Sequence, residues 1–69
     1  MYNLNQAKLN GKIVEKGMTK EGVAAELGIS RATFYRRTRA NGLLLRDVHK
    51  ICDVLGLTPE EAVSIFLSK

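Results

Sequence analysis

The sequence contains one cysteine, one proline and no tryptophan. Because Cys52 has no second cysteine to pair with, an intrachain disulfide is excluded. Cys52 and His49 are the only soft metal ligands, which excludes a structural zinc site. No apolar run approaches the ~18 residues of a membrane-spanning helix, and residues 1–12 show no stretch typical of a secretory signal. These absences predict a cytoplasmic protein that is stabilised by packing alone.

The chain is short, with 69 residues, and this length predicts a single domain over residues 1–69. A domain of this size buries only ~60% of the surface that its unfolded chain exposes, which excludes large-cavity enzyme folds. The hydrophobic content of 45% and the charged content of 26% are typical of a folded domain rather than of a disordered chain.

The sequence offers little support for catalysis. Asp47 and His49 are two positions apart, and on a helix they point in different directions. Cys52 lies between Ile51 and Leu55, where a small core residue is the simpler interpretation. We therefore expect a protein that is not an enzyme, that uses no cofactor or metal, and that binds no small molecule.

Apolar residues recur at helical spacing, and glycines punctuate the chain, which predicts a compact all-α domain of five short helices. The predicted helices span about 5–16, 20–27, 31–40, 45–55 and a last segment that begins after Thr58. Thr19, Ser30 and Thr58 are the predicted N-caps, and Glu61 completes a capping box with Thr58. On the last helix, the apolar residues expected along one side are Val63, Phe66 and Leu67.

Positive charge is concentrated in one segment. The whole chain has a formal charge of +4, yet all five arginines lie in residues 31–46 and no acidic residue occurs in residues 27–46. This segment therefore carries +5, and the remainder nets −1. A solvated surface helix is one interpretation, but like charges at i,i+4 repel each other, which favours an anionic partner such as nucleic acid.

Helical geometry predicts which side of the segment 31–40 is exposed. At about 100° per residue, Phe34 and Thr38 lie on one side, and the opposite side carries arginine, tyrosine and alanine. The residues of that side are Arg31, Ala32, Tyr35, Arg36 and Arg39. Such a face suits the DNA major groove, where arginine bonds guanine edges. Tyr35 has two interpretations, a base contact or an aromatic residue at the edge of the core.

The stretch 18–39, MTKEGVAAELGISRATFYRRTR, resembles the helix-turn-helix of the Cro/repressor-type (XRE, lambda-repressor-like) family. Lys20 opens the motif, Ala24 is its fifth residue and Gly28 its ninth. The resemblance extends from about Leu9 to Phe66. It implies a five-helix domain with the helix-turn-helix at about 19–40, and a transcriptional regulator that binds specific double-stranded DNA.

The resemblance also implies roles for single residues. We expect base-reading contacts from Arg31, Ala32, Tyr35 and Arg36. We expect phosphate contacts from Lys20, Ser30, Thr33, Arg37, Arg39 and Asn41. Three positions depart from the family. Arg37 stands where the family is usually apolar, so it either lays its stem over the core or faces a phosphate. Ile13 and Thr38 occupy the places of an arginine–glutamate pair, so an apolar contact is expected there.

The short chain resembles Cro-like and other small phage or mobile-element regulators. A single small module has a limited DNA footprint, so a homodimer is expected, with its two recognition helices ~34 Å apart. Its predicted surface is the apolar run of Ile65, Phe66 and Leu67, for which a hydrophobic chain end is the alternative. That run also supports a second function, a protein-interaction module such as an antitoxin or antirepressor. RNA binding would require more exposed aromatics than Tyr35 alone.

Overall fold

The computed structural model describes residues 3–68, which form five α-helices: α1 (Gln6–Glu15), α2 (Lys20–Leu27), α3 (Arg31–Arg39), α4 (Leu45–Leu55) and α5 (Pro59–Phe66). The predicted all-α class is confirmed. The molecule measures 27 × 24 × 20 Å. Within the described part of the chain, none of the helices has the length and apolar character needed to cross a membrane.

Side chains cap the starts of four helices. Thr19, Ser30 and Thr58 each accept a hydrogen bond from a backbone N–H in the first turn, as predicted. Glu61 accepts a bond of 2.9 Å from the Thr58 N–H, which completes the capping box. Asn5 was expected inside the first helix, but it is the N-cap of α1 and accepts from the Lys8 N–H.

The connection between α2 and α3 is only three residues long, from 28 to 30. Gly28 has φ +72°, in the left-handed region that glycine reaches without steric cost. The N–H groups of Gly28 and Ile29 donate to the carbonyls of Ala25 and Ala24, which closes the end of α2. The predicted glycine turn is therefore confirmed, and it fixes the start of α3 relative to α2.

The core is a single cluster to which all five helices contribute. Its buried apolar members are Leu9, Ile13, Val23, Ala24, Phe34, Ile51, Leu55 and Ile65. The helix α2 packs against α1, α3 and α4, while α5 packs against α1. Ala24 is fully buried in α2, as expected for a small residue where helices approach closely. From α3, the only large apolar side chain in this core is Phe34.

The buried side of α5 differs from the predicted one. Ile65 is only 2% exposed and belongs to the core, whereas Val63 and Leu67 are 53% and 48% exposed. Phe66 is half-buried against the core. The expected stripe is therefore wrong, and so is the prediction that Ile65 belongs to a dimer surface. Two contacts determine which side of α5 is buried. The helix packs against α1, and the Asn5 N–H donates to the Ile65 carbonyl at 2.7 Å.

The two ends of the described chain lie side by side. Asn3 and Ser68 form an antiparallel bridge in which each N–H donates to the other residue's carbonyl, at 2.6 and 3.0 Å. The side chain of Asn41, just after α3, accepts from the Leu4 N–H at 3.0 Å. The segment before α1 thus connects the end of α5 with the end of α3.

Candidate nucleic-acid interface

The outward side of α3 is the basic face that the sequence predicts. Phe34 and Thr38 are buried at 1% and 7% exposure, and they turn the opposite side of the helix to solvent. A shallow depression of ≈ 460 Å³ lies on that side. Its lining residues are Ala32, Tyr35, Arg36, Arg39 and Ala40. The surface therefore combines arginine donors with small residues that permit close approach of a ligand.

Tyr35 lies at the edge of the core, and its ring also contacts two positively charged side chains. Its ring meets Phe34 edge-on, with 6.4 Å between the ring centroids. Lys20 Nζ is 5.2 Å from the centroid of the Tyr35 ring, and Arg31 Cζ is 5.6 Å from it. Contacts of this kind contribute roughly 0.5–1 kcal/mol each at exposed sites. Tyr35 thus holds together a cation from α2 and a cation from α3, a role that neither interpretation of the sequence included.

A glutamate of α2 faces the first arginine of α3. Glu21 Oε1 lies 3.5 Å from Arg31 Nη1, and both side chains are largely exposed. The pairing was missed because it depends on the angle between α2 and α3, which the spacing of residues does not fix. The contact uses one nitrogen of the Arg31 guanidinium, whose other N–H groups remain available to a ligand.

The N-terminus of α3 presents hydroxyl groups and no acidic residue. Ser30 Oγ accepts from the Thr33 N–H at 3.1 Å and donates to Thr33 Oγ1 at 2.9 Å. The first turn of α3 contains no carboxylate. The backbone N–H groups at the start of a helix favour anions such as phosphate.

Arg37 points away from the outward face. Its Nη1 donates to Asp47 Oδ2 of α4 at 3.1 Å, and its side chain is 25% exposed. The structure thus gives Arg37 an intramolecular partner on α4. The sequence did not reveal this pair, because Arg37 and Asp47 are ten positions apart and lie on different helices.

Thr38 and Asn41 also hold α3 in place. Thr38 Oγ1 donates to the Tyr35 carbonyl at 3.1 Å, and the Thr38 carbonyl accepts from Gln6 Nε2 at 3.0 Å. Ile13 and Thr38 are both buried, and these hydrogen bonds satisfy the polar atoms of Thr38. Asn41, expected at a phosphate, uses its side chain to bind the segment before α1.

The remaining reactive side chains of residues 3–68 lie apart from this face. His49 is exposed on α4, and Cys52 is half-buried. Burial, together with the negative charge of Asp53, raises the pKa of the Cys52 thiol, which makes it a weaker nucleophile at neutral pH.

A groove of ≈ 530 Å³ lies between α1 and α5, and there Lys12 forms ion pairs with Glu15 and Glu61.

The fold and the site together define a helix-turn-helix domain, in which α2 supports α3 and α3 presents a basic face. A family model of the Cro/C1-type HTH DNA-binding domain matches residues 8–66. The chain belongs to this family, as the resemblance indicated. No match was found among curated proteins or among solved structures.

Proposed function

We propose that this DNA-binding domain acts as a transcriptional regulator that recognises a specific duplex by placing α3 in the major groove. The observation that supports this most strongly is the orientation of α3. Its one large apolar side chain, Phe34, is buried, so Arg31, Ala32 and Arg36 are turned outward together. An α-helix fits the major groove of B-DNA, and arginine bonds guanine O6 and N7 there.

The residues of the face divide into two groups. Arg31, Ala32 and Arg36 contact base edges, and Tyr35 lies among them. Lys20, Ser30, Thr33 and Arg39 contact phosphates, because they flank the face or lie at the N-terminus of α3. Arg37 and Asn41 are left out of the contacts, since their side chains bond other parts of the protein.

The regulator works as a cytoplasmic homodimer without a catalytic activity of its own. One molecule is 27 Å along its longest axis, which is shorter than the ~34 Å between successive major-groove sites on one side of the duplex. Two copies are therefore needed to occupy both sites. The dimer surface includes Val63 on α5 and Leu67 at the C-cap of that helix, because both are apolar and both are exposed.

The test begins with selection of bound sequences from a pool of random duplexes, followed by titration of the winner and of a scrambled duplex. Arg36→Ala should reduce the preference for the selected duplex by about tenfold, the cost of one base contact. Lys20→Ala should weaken binding to both duplexes equally, because it removes a phosphate contact. Equal losses of preference in both variants would contradict these roles.

A protein-interaction module is the second candidate function, and the exposed Val63 and Leu67 favour it. Deleting the chain from Ser64 onwards would also remove the buried Ile65, so point substitution of the exposed residues is the cleaner test. Two results together would replace the first function by the second. The wild-type protein would bind no duplex, and the variant Val63→Lys/Leu67→Lys would no longer bind a partner protein that the wild type binds.

A further inference from the structure

A charged residue is buried beside α3. Among residues 3–68, Asp47 is the one buried ionisable residue, with 4% of its surface exposed. Its Oδ2 accepts two hydrogen bonds of 3.1 Å, one from Arg37 Nη1 and one from the Leu44 N–H. Buried charges are retained where a partner satisfies them, and here the partner is an arginine of α3.

Asp47 is a fixed acceptor. The Leu44 N–H holds its carboxylate at the start of α4, and Ile51 and Leu55 anchor α4 in the core. The position available to the Arg37 guanidinium is therefore set by α4. The backbone of Arg37 is held as well, because its carbonyl accepts from the Gly42 N–H at 2.7 Å.

The helix α3 needs such a tie because few of its side chains are buried. Only Phe34 and Thr38 of this helix are buried. A helix with so few buried side chains depends on polar contacts with its neighbours to fix its rotation about its own axis. Gln6 restrains one side through the Thr38 carbonyl, and Arg37 restrains the side that faces α4. A rotation of α3 would move Arg36, the next residue to Arg37, relative to a base edge.

We infer that Arg37 and Asp47 are a positioning pair, which sets the orientation of α3 and thereby the base preference without touching DNA. The inference rests on the proposed function. It predicts that breaking the pair lowers discrimination between duplexes, while binding to an arbitrary duplex is retained.

The variant Arg37→Met removes the guanidinium, and Asp47→Asn removes the negative charge that pairs with it, while the asparagine keeps an oxygen for the Leu44 N–H. Arg46→Met is the matched control, because it removes the same charge from an exposed arginine of α4. All variants are compared at a temperature where circular dichroism shows them folded. The measured quantity is the ratio of Kd for a scrambled duplex to Kd for the selected duplex.

We expect this ratio to fall about tenfold in both single variants, as for the loss of one base contact, and to stay unchanged in Arg46→Met. The double variant Arg37→Met/Asp47→Leu leaves no buried charge unpaired, so it keeps the test valid if a single variant fails to fold. A wild-type ratio in any folded variant of the pair overturns the inference. Equal weakening on both duplexes also overturns it, because that result assigns Arg37 to phosphate.

Amide hydrogen exchange of the free protein provides a readout without DNA. In Asp47→Asn, amides in the last turn of α3 should exchange faster, while those of Ile51 and Leu55 in the core are unchanged. Unchanged exchange in α3 overturns the pair's role. If the wild-type protein selects no duplex but α3 still loosens in the variant, the proposed function fails and the positioning pair stands.

Discussion

At the scale of single residues, Arg31 is held by the protein before it meets any ligand. Glu21 is 3.5 Å from its guanidinium, and the Tyr35 ring lies beneath it. Exposed ion pairs contribute roughly 0–1 kcal/mol, so Glu21 restrains Arg31 only weakly. Under the proposed assignment of Arg31 to a base edge, the carboxylate opposes DNA binding in two ways, since it competes for Arg31 and repels phosphate.

Replacing Glu21 should therefore strengthen DNA binding. We expect Glu21→Gln to lower Kd for the selected duplex by about two- to fivefold at low salt, the equivalent of ~0.5–1 kcal/mol. The measurement is a fluorescence-anisotropy titration. Glu26→Gln is the control, because it removes the same charge from an exposed glutamate at the other end of α2. Equal gains from both variants would show a general charge effect and no release of Arg31.

At the scale of helices and turns, backbone conformation decides what each glycine tolerates. A Cβ at Gly28 or at Gly11 would meet no heavy atom within 4 Å, so neither site is limited by space. Gly28 has φ +72°, whereas Gly11 lies inside α1. A side chain is therefore strained at the first site and helix-favouring at the second.

The two alanine substitutions should have opposite effects on stability. Gly28→Ala should lower the free energy of unfolding by ~1–2 kcal/mol, the cost of a left-handed alanine. Gly11→Ala should raise it by up to ~1 kcal/mol through helix propensity. Urea unfolding followed by circular dichroism measures both values. Destabilisation by both substitutions would mean that close packing, not backbone conformation, governs these sites.

The start of α5 should make stability depend on pH. The Glu61 carboxylate accepts hydrogen bonds from Lys12 and from the Thr58 backbone, and these bonds lower the pKa of Glu61 from its ordinary value of 4.5 to about 2. Because the folded-state pKa is depressed, this contribution is present above pH 4.5 and is lost as the pH falls towards 2. In Glu61→Gln, the thermal midpoint should therefore fall less over this range than in the wild type.

The control for this effect is Glu60→Gln, the exposed neighbour that makes neither bond. Its thermal midpoint should follow the wild-type curve between pH 4.5 and 2. If the Glu61 and Glu60 variants have the same acid dependence, the carboxylate of Glu61 does not act through the bonds to Lys12 and Thr58.

Local signals predicted the elements well, because caps and stops depend on neighbouring residues. Thr58, Pro59 and Glu61 specify the start of α5 within one turn, and Gly28 specifies a left-handed stop. The rotation of α5 was not predictable in the same way. Three consecutive apolar residues fit several helix faces, and packing against α1 selects Ile65 for burial.

The site was predictable to the same extent. The buried side of α3 followed from the positions of Phe34 and Thr38, and this orients the outward arginines. The partners of Arg31 and Arg37 were not predictable, because Glu21 and Asp47 approach them from other helices. Ten residues separate each pair along the chain, so no local spacing rule connects them.

At the scale of the whole molecule, the asymmetry of charge has a structural basis. The segment 31–46 carries +5, and one of its arginines, Arg37, is paired with Asp47. Arg31, Arg36 and Arg39 lie exposed on α3. The groove between α1 and α5 carries ion pairs instead. DNA is therefore expected on one side of the molecule, and the exposed apolar residues of α5 are left for protein contacts.

The most direct measurement is a ¹H–¹⁵N NMR titration of the wild-type protein with its selected duplex. The largest shifts should occur at the amides of Arg31, Ala32 and Arg36, with smaller shifts at Lys20 and Ser30. In a second titration with a scrambled duplex, the shifts of the α3 amides should be reduced more than those at Lys20 and Ser30. Large shifts along α5, at Val63 and Leu67, with α3 unchanged would contradict the assignment of α3 as the DNA-reading element.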